Sequence, residues 1–127
     1  MKLRIKGNSL RLRVSRSELA RFEAGERIEE TIHFTADPGA TLTYALESAS
    51  RPAPVTIRYE SREVVIILSK DRARIWTSQN EVGVYTTLDI GAAGSLEVAV
   101  EKDFACLDRT DEDNSDTFAN PLTGATC

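Results

Sequence analysis

The strongest constraint on this chain is an internal period. Shifting the sequence by 54 residues places Leu3, Ile5, Leu10, Leu12, Val14, Phe22, Ile28, Leu42, Tyr44 and Leu46 on Ile57, Tyr59, Val64, Ile66, Leu68, Trp76, Val82, Leu96, Val98 and Val100, and every pair is apolar on both sides. The register slips by two residues around the third strand and a shorter loop restores it. Identities are few: Arg4/Arg58, Ser15/Ser69, Leu42/Leu96, Ala45/Ala99 and Glu47/Glu101. A period of this length marks duplication of one supersecondary unit.

Each unit reads as strand, strand, short helix, strand, strand. Leu3/Ile5 and Leu10/Leu12/Val14 alternate with cations around Gly7-Asn8, the pattern of a half-buried hairpin. Ser15 or Ser17 then stands at an N-cap position, with Glu18 three residues after Ser15, as a capping box requires. The helix runs through Leu19 to Phe22 and stops at Gly25. Ile28 to Phe34 and Leu42 to Glu47 follow as strands around the turn Asp37-Pro38-Gly39. The second unit repeats this with Thr56–Glu60, Val64–Leu68, a helix over Asp71–Thr77, Val82–Ile90 and Leu96–Glu101. One such unit leaves half its apolar face and its strand edges open, and two can cover each other. The expected fold is mostly β (α+β), a pseudo-two-fold barrel or sandwich of two ββαββ repeats. Residues 1–104 form one domain from repeats 1–50 and 55–104, followed by an acidic tail over 105–127.

Charge follows the same division. Residues 1–50 hold 8 basic and 7 acidic side chains, and residues 51–104 hold 7 and 8, so the formal charge of -4 belongs to residues 105–127, with one Arg against five carboxylates. No apolar run approaches the ~18 residues of a membrane span. The charged, alternating N-terminal stretch lacks a secretory h-region, so a cytoplasmic protein with no membrane contact is expected.

At Lys6-Gly7-Asn8-Ser9-Leu10-Arg11-Leu12-Arg13-Val14, followed by Ser-x-Ser-Glu-Leu, a helix ending near Gly25 and two further strands, the first unit resembles the swapped-hairpin domains of AbrB-type transition-state regulators and MazE-type antitoxins. In that family two identical chains interlock into one barrel that lies on DNA through its first strands and Gly-Asn-Ser loop. The resemblance implies a fused pseudo-dimer here, with the loop at Gly7-Asn8-Ser9 and the basic strand residue at Arg13. Lys6 stands where the family often has Trp, Ser15 where it often has Pro, and Ser61-Arg62-Glu63 replaces the loop in the second unit. A small bacterial family of separate descent is equally open.

With Leu3, Ile5, Leu10, Leu12 and Val14 inward, alternation gathers Lys2, Arg4, Lys6, Arg11 and Arg13 outward. Together with Asn8 and Ser9 they form the candidate nucleic-acid or anion site. Duplex DNA is the suggested ligand, because arginine pairs bidentately with phosphate and a β-ribbon fits a major groove. A solvated face that protects an edge from aggregation, or one neutralised by Glu29, Glu30 and Glu47, is the alternative. The face lacks aromatics, which argues against stacking on single strands. In the second unit Val64-Val65-Ile66-Ile67-Leu68 is apolar on both faces. Its outer side calls for a cover, either Phe104, Leu107, Phe118 and Leu122 of the tail or a second copy of the chain.

The tail residues Asp111, Glu112, Asp113, Asp116 and Phe118 are the candidate contact for a basic protein partner, a reading that the acidic toxin-binding segment of MazE-type antitoxins resembles. Asp111, Asp113 and Ser115 have the spacing of the first EF-hand ligands, but Asp116 replaces the required Gly and Leu122 the bidentate Glu. Nothing fixes partners for Cys106 and His33 around a transition metal, and a Cys106–Cys127 disulfide is not expected in a reducing compartment. No cofactor is expected. Glu29 and Glu30 point to opposite faces, His33 lies outward, and no phosphate loop or nucleophile motif occurs, so a non-enzymatic binding module is expected.

Overall fold

The computed structural model describes residues 1–104. Eight strands and two α-helices follow the order expected: β1 (Lys2–Ile5), β2 (Ser9–Val14), α1 (Arg16–Glu23), β3 (Ile28–His33), β4 (Thr41–Ala49), β5 (Val55–Glu60), β6 (Glu63–Ser69), α2 (Lys70–Ser78), β7 (Gly83–Asp89) and β8 (Ser95–Lys102). They form two four-stranded sheets, β1-β2-β8-β7 and β3-β4-β6-β5. Each sheet therefore takes one hairpin from each repeat. The joins are parallel, β2 on β8 and β4 on β6, whereas every hairpin is antiparallel.

This exchange follows from the open edges of each unit. The β1–β2 hairpin offers its β2 edge and finds β8 of the other repeat. The β5–β6 hairpin does the same with β4. The inner faces then bury one continuous core of Leu12, Val14, Phe22, Ile28, Leu46, Val55, Ile66, Leu68, Trp76, Val84, Val98 and Val100. Phe22 and Trp76, equivalent across the repeat, meet edge to face with ring centroids 5.9 Å apart. Each large aromatic fills the space the other half leaves, so neither repeat would have a closed core alone.

Local signals act as written. Ser15 caps α1 and Glu18 closes the box, accepting from Ser15 N at 2.8 Å. Ser69 caps α2 by accepting from Arg72 N at 3.1 Å. Gly25 follows the α1 C-cap with φ +97°, a conformation that costs glycine nothing. The two-residue slip is real: Ile28 pairs with Leu46, and Val84, not Val82, occupies the equivalent place opposite Val100. Val82 is exposed. Ile5, expected inward, is 61% exposed at the end of its strand, beside the hairpin turn.

Candidate functional site

The swap decides what surrounds the basic strands. On the outer face of the first sheet, Lys2 stands opposite Arg13 and Arg4 opposite Arg11. The parallel join continues these rows, Arg11 to Ala99 and Arg13 to Glu101, and β7 completes them with Tyr85 opposite Ala99 and Gly83 opposite Glu101. The gathering of cations expected from alternation is present. Their neutralising groups come from elsewhere.

Glu101 is the hub. One of its oxygens lies 3.3 Å from Nε of both Arg11 and Arg13, and the other accepts from the Tyr85 hydroxyl at 2.6 Å. Lys2 pairs with Asp103 at 2.9 Å. Glu29, Glu30 and Glu47, expected as counterions for this face, sit on the other sheet. Glu29 and Glu47 hold Arg27, at 3.2 and 3.3 Å, while Glu30 binds the Met1 amine and the Tyr44 hydroxyl, each at 3.0 Å. The parallel join places the carboxylates of repeat 2 on the cations of repeat 1, so no count within one repeat could find them. Arg4 and Lys6 have no acidic partner among the described residues. With Arg11 they line a cavity of about 620 Å³ that Ser9, Tyr85, Thr87 and Glu97 also line.

The turn residues carried over from the family resemblance are occupied internally. The Asn8 amide donates to Ser95 O at 2.6 Å and the Ser9 hydroxyl to Lys6 O at 2.5 Å. Gly7 alone takes a positive φ, +55°, so the turn uses glycine at its first central position and leaves Asn8 free to tie the hairpin to β8.

Tyr85 is the residue the sequence reading missed. It is 60% exposed and shares the face with the basic strands, which overturns the expectation of a face without aromatics. Its hydroxyl leans back over Gly83, where an added Cβ would lie 2.9 Å from that oxygen and 2.8 Å from Val100 O. Glycine leaves room for the ring to lie across the sheet and reach Glu101. Burial of the phenol, followed by its bond to the Glu101 carboxylate, pushes the Tyr85 hydroxyl up to about 12. The available signal was the register slip, which puts Tyr85 in the row of Arg4 and Arg11.

The second sheet offers an internal comparison, because its outer face holds the equivalent positions. Val65 and Ile67 replace Arg11 and Arg13, and Glu47 takes the place of Glu101. Val65 and Ile67 are 0% and 2% exposed within one chain, so the argument for covering them with a second copy falls away. Among the described residues, the face is spanned by Arg27 and Arg58, which share Glu47 and Glu63; Arg58 also meets Glu60. The hydrogen bond that Arg27 donates to Glu63, 2.5 Å long, leads the effects that raise the Arg27 guanidinium above its usual value, against the cost of burial. Phe104, offered as a cover, is 60% exposed. Leu107, Phe118 and Leu122, the partner-contact residues Asp111, Glu112, Asp113, Asp116 and Phe118, and both cysteines lie outside the described residues. Among the described residues, one of the two equivalent faces is closed by ion pairs and the other leaves Arg4 and Lys6 without an acidic partner.

His33 is exposed at the end of β3, and Glu29 and Glu30 diverge onto separate ion pairs. Among the described residues no group of three metal-ligating side chains converges, and no helix is long and apolar enough to cross a membrane.

With this geometry in place, comparison with known proteins adds one assignment. The chain belongs to the family of unknown function DUF7009. The match covers residues 1–122, so it takes in both repeats and most of the tail. No curated protein and no solved structure matches the chain.

Proposed function

We propose that the chain is a non-enzymatic binding module that takes a phosphate-bearing polymer, a nucleic acid, on the outer face of its first sheet. One observation carries the reading. Arg4 and Lys6 border the cavity beside Arg11 with no acidic partner among the described residues, while the equivalent face of the second sheet is closed by carboxylates. Unpaired cations lining a concave face are poised to exchange counterions for phosphates. The exchange of hairpins between repeats supports the resemblance to the AbrB and MazE type, with one chain in the role of their dimer. It does not extend to their loop, because Asn8 and Ser9 are engaged within the hairpin.

Equilibrium binding to DNA as a function of salt tests the proposal. Affinity should fall linearly on a log-log plot, and the slope should flatten by about 0.7–0.9 for each cation removed in Arg4→Ala and Lys6→Ala. Arg58→Ala, on the closed face, should leave the slope unchanged. Salt-insensitive binding, or equal effects from Arg4 and Arg58, would defeat it.

A further inference from the structure

We infer that the site selects single-stranded over duplex nucleic acid, with Tyr85 as the stacking platform for a base and Arg4, Lys6 and Arg11 as the phosphate contacts; this rests on the phosphate-binding reading above. Two requirements of single-strand recognition are a basic track for the backbone and a flat aromatic surface beside it. Both are present in one row of one sheet. Arg4 and Arg11 are cross-strand neighbours, Arg11 pairs with Ala99, and Ala99 pairs with Tyr85.

The ring is prepared for stacking in three ways. Its hydroxyl is held by Glu101 at 2.6 Å, which restricts rotation. Gly83 offers no side chain to prop the ring away from the sheet. Its neighbour in the row, Ala99, is too small to cover it, and the side chain remains 60% exposed. A ring already ordered loses little conformational freedom when a base lands on it. A base stacked in a duplex has no free face for such contact, so the platform rewards only unpaired bases. Thr87, two residues along β7 from Tyr85, also lines the cavity. The other sheet has Glu29 in the position of Tyr85 and Val65 in that of Arg11, so it lacks both parts.

The experiment is fluorescence anisotropy with labelled oligothymidylate, alone and annealed to oligoadenylate, at low salt. The expected result is tighter binding of the single strand, a loss of roughly 5- to 150-fold in Tyr85→Ala, the worth of one stacked base, and a smaller loss in Tyr85→Phe, which keeps the ring and drops the hydroxyl that orders it. Circular dichroism of both variants reports that the sheet is intact. Equal or tighter binding of the duplex, or a Tyr85→Ala protein that binds the single strand as well as the parent, overturns the single-strand inference; if Arg4→Ala still weakens binding in that case, the phosphate reading survives. Binding of neither form overturns both.

Discussion

Replacing Gly83 with alanine isolates the contact on which the geometry of the basic face depends. In an ordinary strand the change would help, since glycine costs about 0.5–1 kcal/mol relative to alanine. Here the new Cβ meets Val100 O at 2.8 Å, Glu101 Cγ at 2.9 Å and the Tyr85 hydroxyl at 2.9 Å. The side chains can swing aside, but the carbonyl belongs to the β8 ladder and cannot yield without breaking register. Overpacking of this kind costs about 1–3 kcal/mol, which set against the propensity gain leaves a net loss of up to about 2.5 kcal/mol. For a domain near this size the melting temperature should fall by up to roughly 10 °C. A second readout separates this from general damage. Displaced from Glu101, the Tyr85 phenol should leave its value of about 12 and titrate closer to an ordinary tyrosine, seen as tyrosinate absorbance appearing at lower pH. Because the folded state holds this proton more tightly than the unfolded one, its contribution to stability is complete below pH ~10 and is lost as pH rises through about 12. Gly83→Ala should remove that alkaline limb. An unchanged melting temperature with an unchanged phenol titration would refute the reasoning.

Glu101→Gln should move stability and binding in opposite directions: the melting temperature falls because Arg11 and Arg13 lose their shared counterion, while DNA affinity rises and its salt slope steepens, and parallel changes in both would count against the hub role. Ser61 and Arg62 both adopt positive φ, +50° and +61°, without being glycine, so Ser61→Asn/Arg62→Gly should stabilise by about 1–2 kcal/mol in urea denaturation, offset by the lost Arg62 bond to Gly39 O. Trp76→Ala should cost about 3–5 kcal/mol, and a double-mutant cycle with Phe22→Ala should show coupling of about 0.5–1.5 kcal/mol if the two rings support each other. Burial opposes ionisation of Glu18, but its bonds from the Met1 amine and from Ser15 prevail and lower its pKa; the stability it supplies is present above the ordinary glutamate range and is lost as pH falls through the lowered value, an acid limb that Glu18→Gln should abolish.

Much of the fold was legible because duplication writes the same instructions twice. The identities across the period now have physical meaning. Ser15 and Ser69 cap the two helices. Glu47 and Glu101 each bridge two arginines on the outer face of their sheet. Ala45 and Ala99 keep those faces low between larger neighbours. The cation row was also legible, since alternation in β1 and β2 needs nothing outside the hairpin. What could not be read was the pairing of β2 with β8, a contact between residues nearly ninety apart along the chain. That join supplies Glu101 and, through β7, Tyr85. A face assessed from its own strands therefore looked both more strongly charged and less aromatic than it is. The need for a cover on the apolar outer side of β6 was legible, but what lies beside it was not, for the same reason. Arg27 and Glu47, from the other repeat, reach it only through the parallel join with β4.

The central claim is that the open face of the first sheet, and not the closed face of the second, receives nucleic acid. Backbone amide chemical shifts recorded during titration with single-stranded oligothymidylate test it most directly. The account predicts perturbations centred on Arg4, Lys6, Arg11, Tyr85 and Thr87, with Arg58, Val65 and Glu47 silent. Shifts confined to the second sheet, or none at all at low salt, would contradict it.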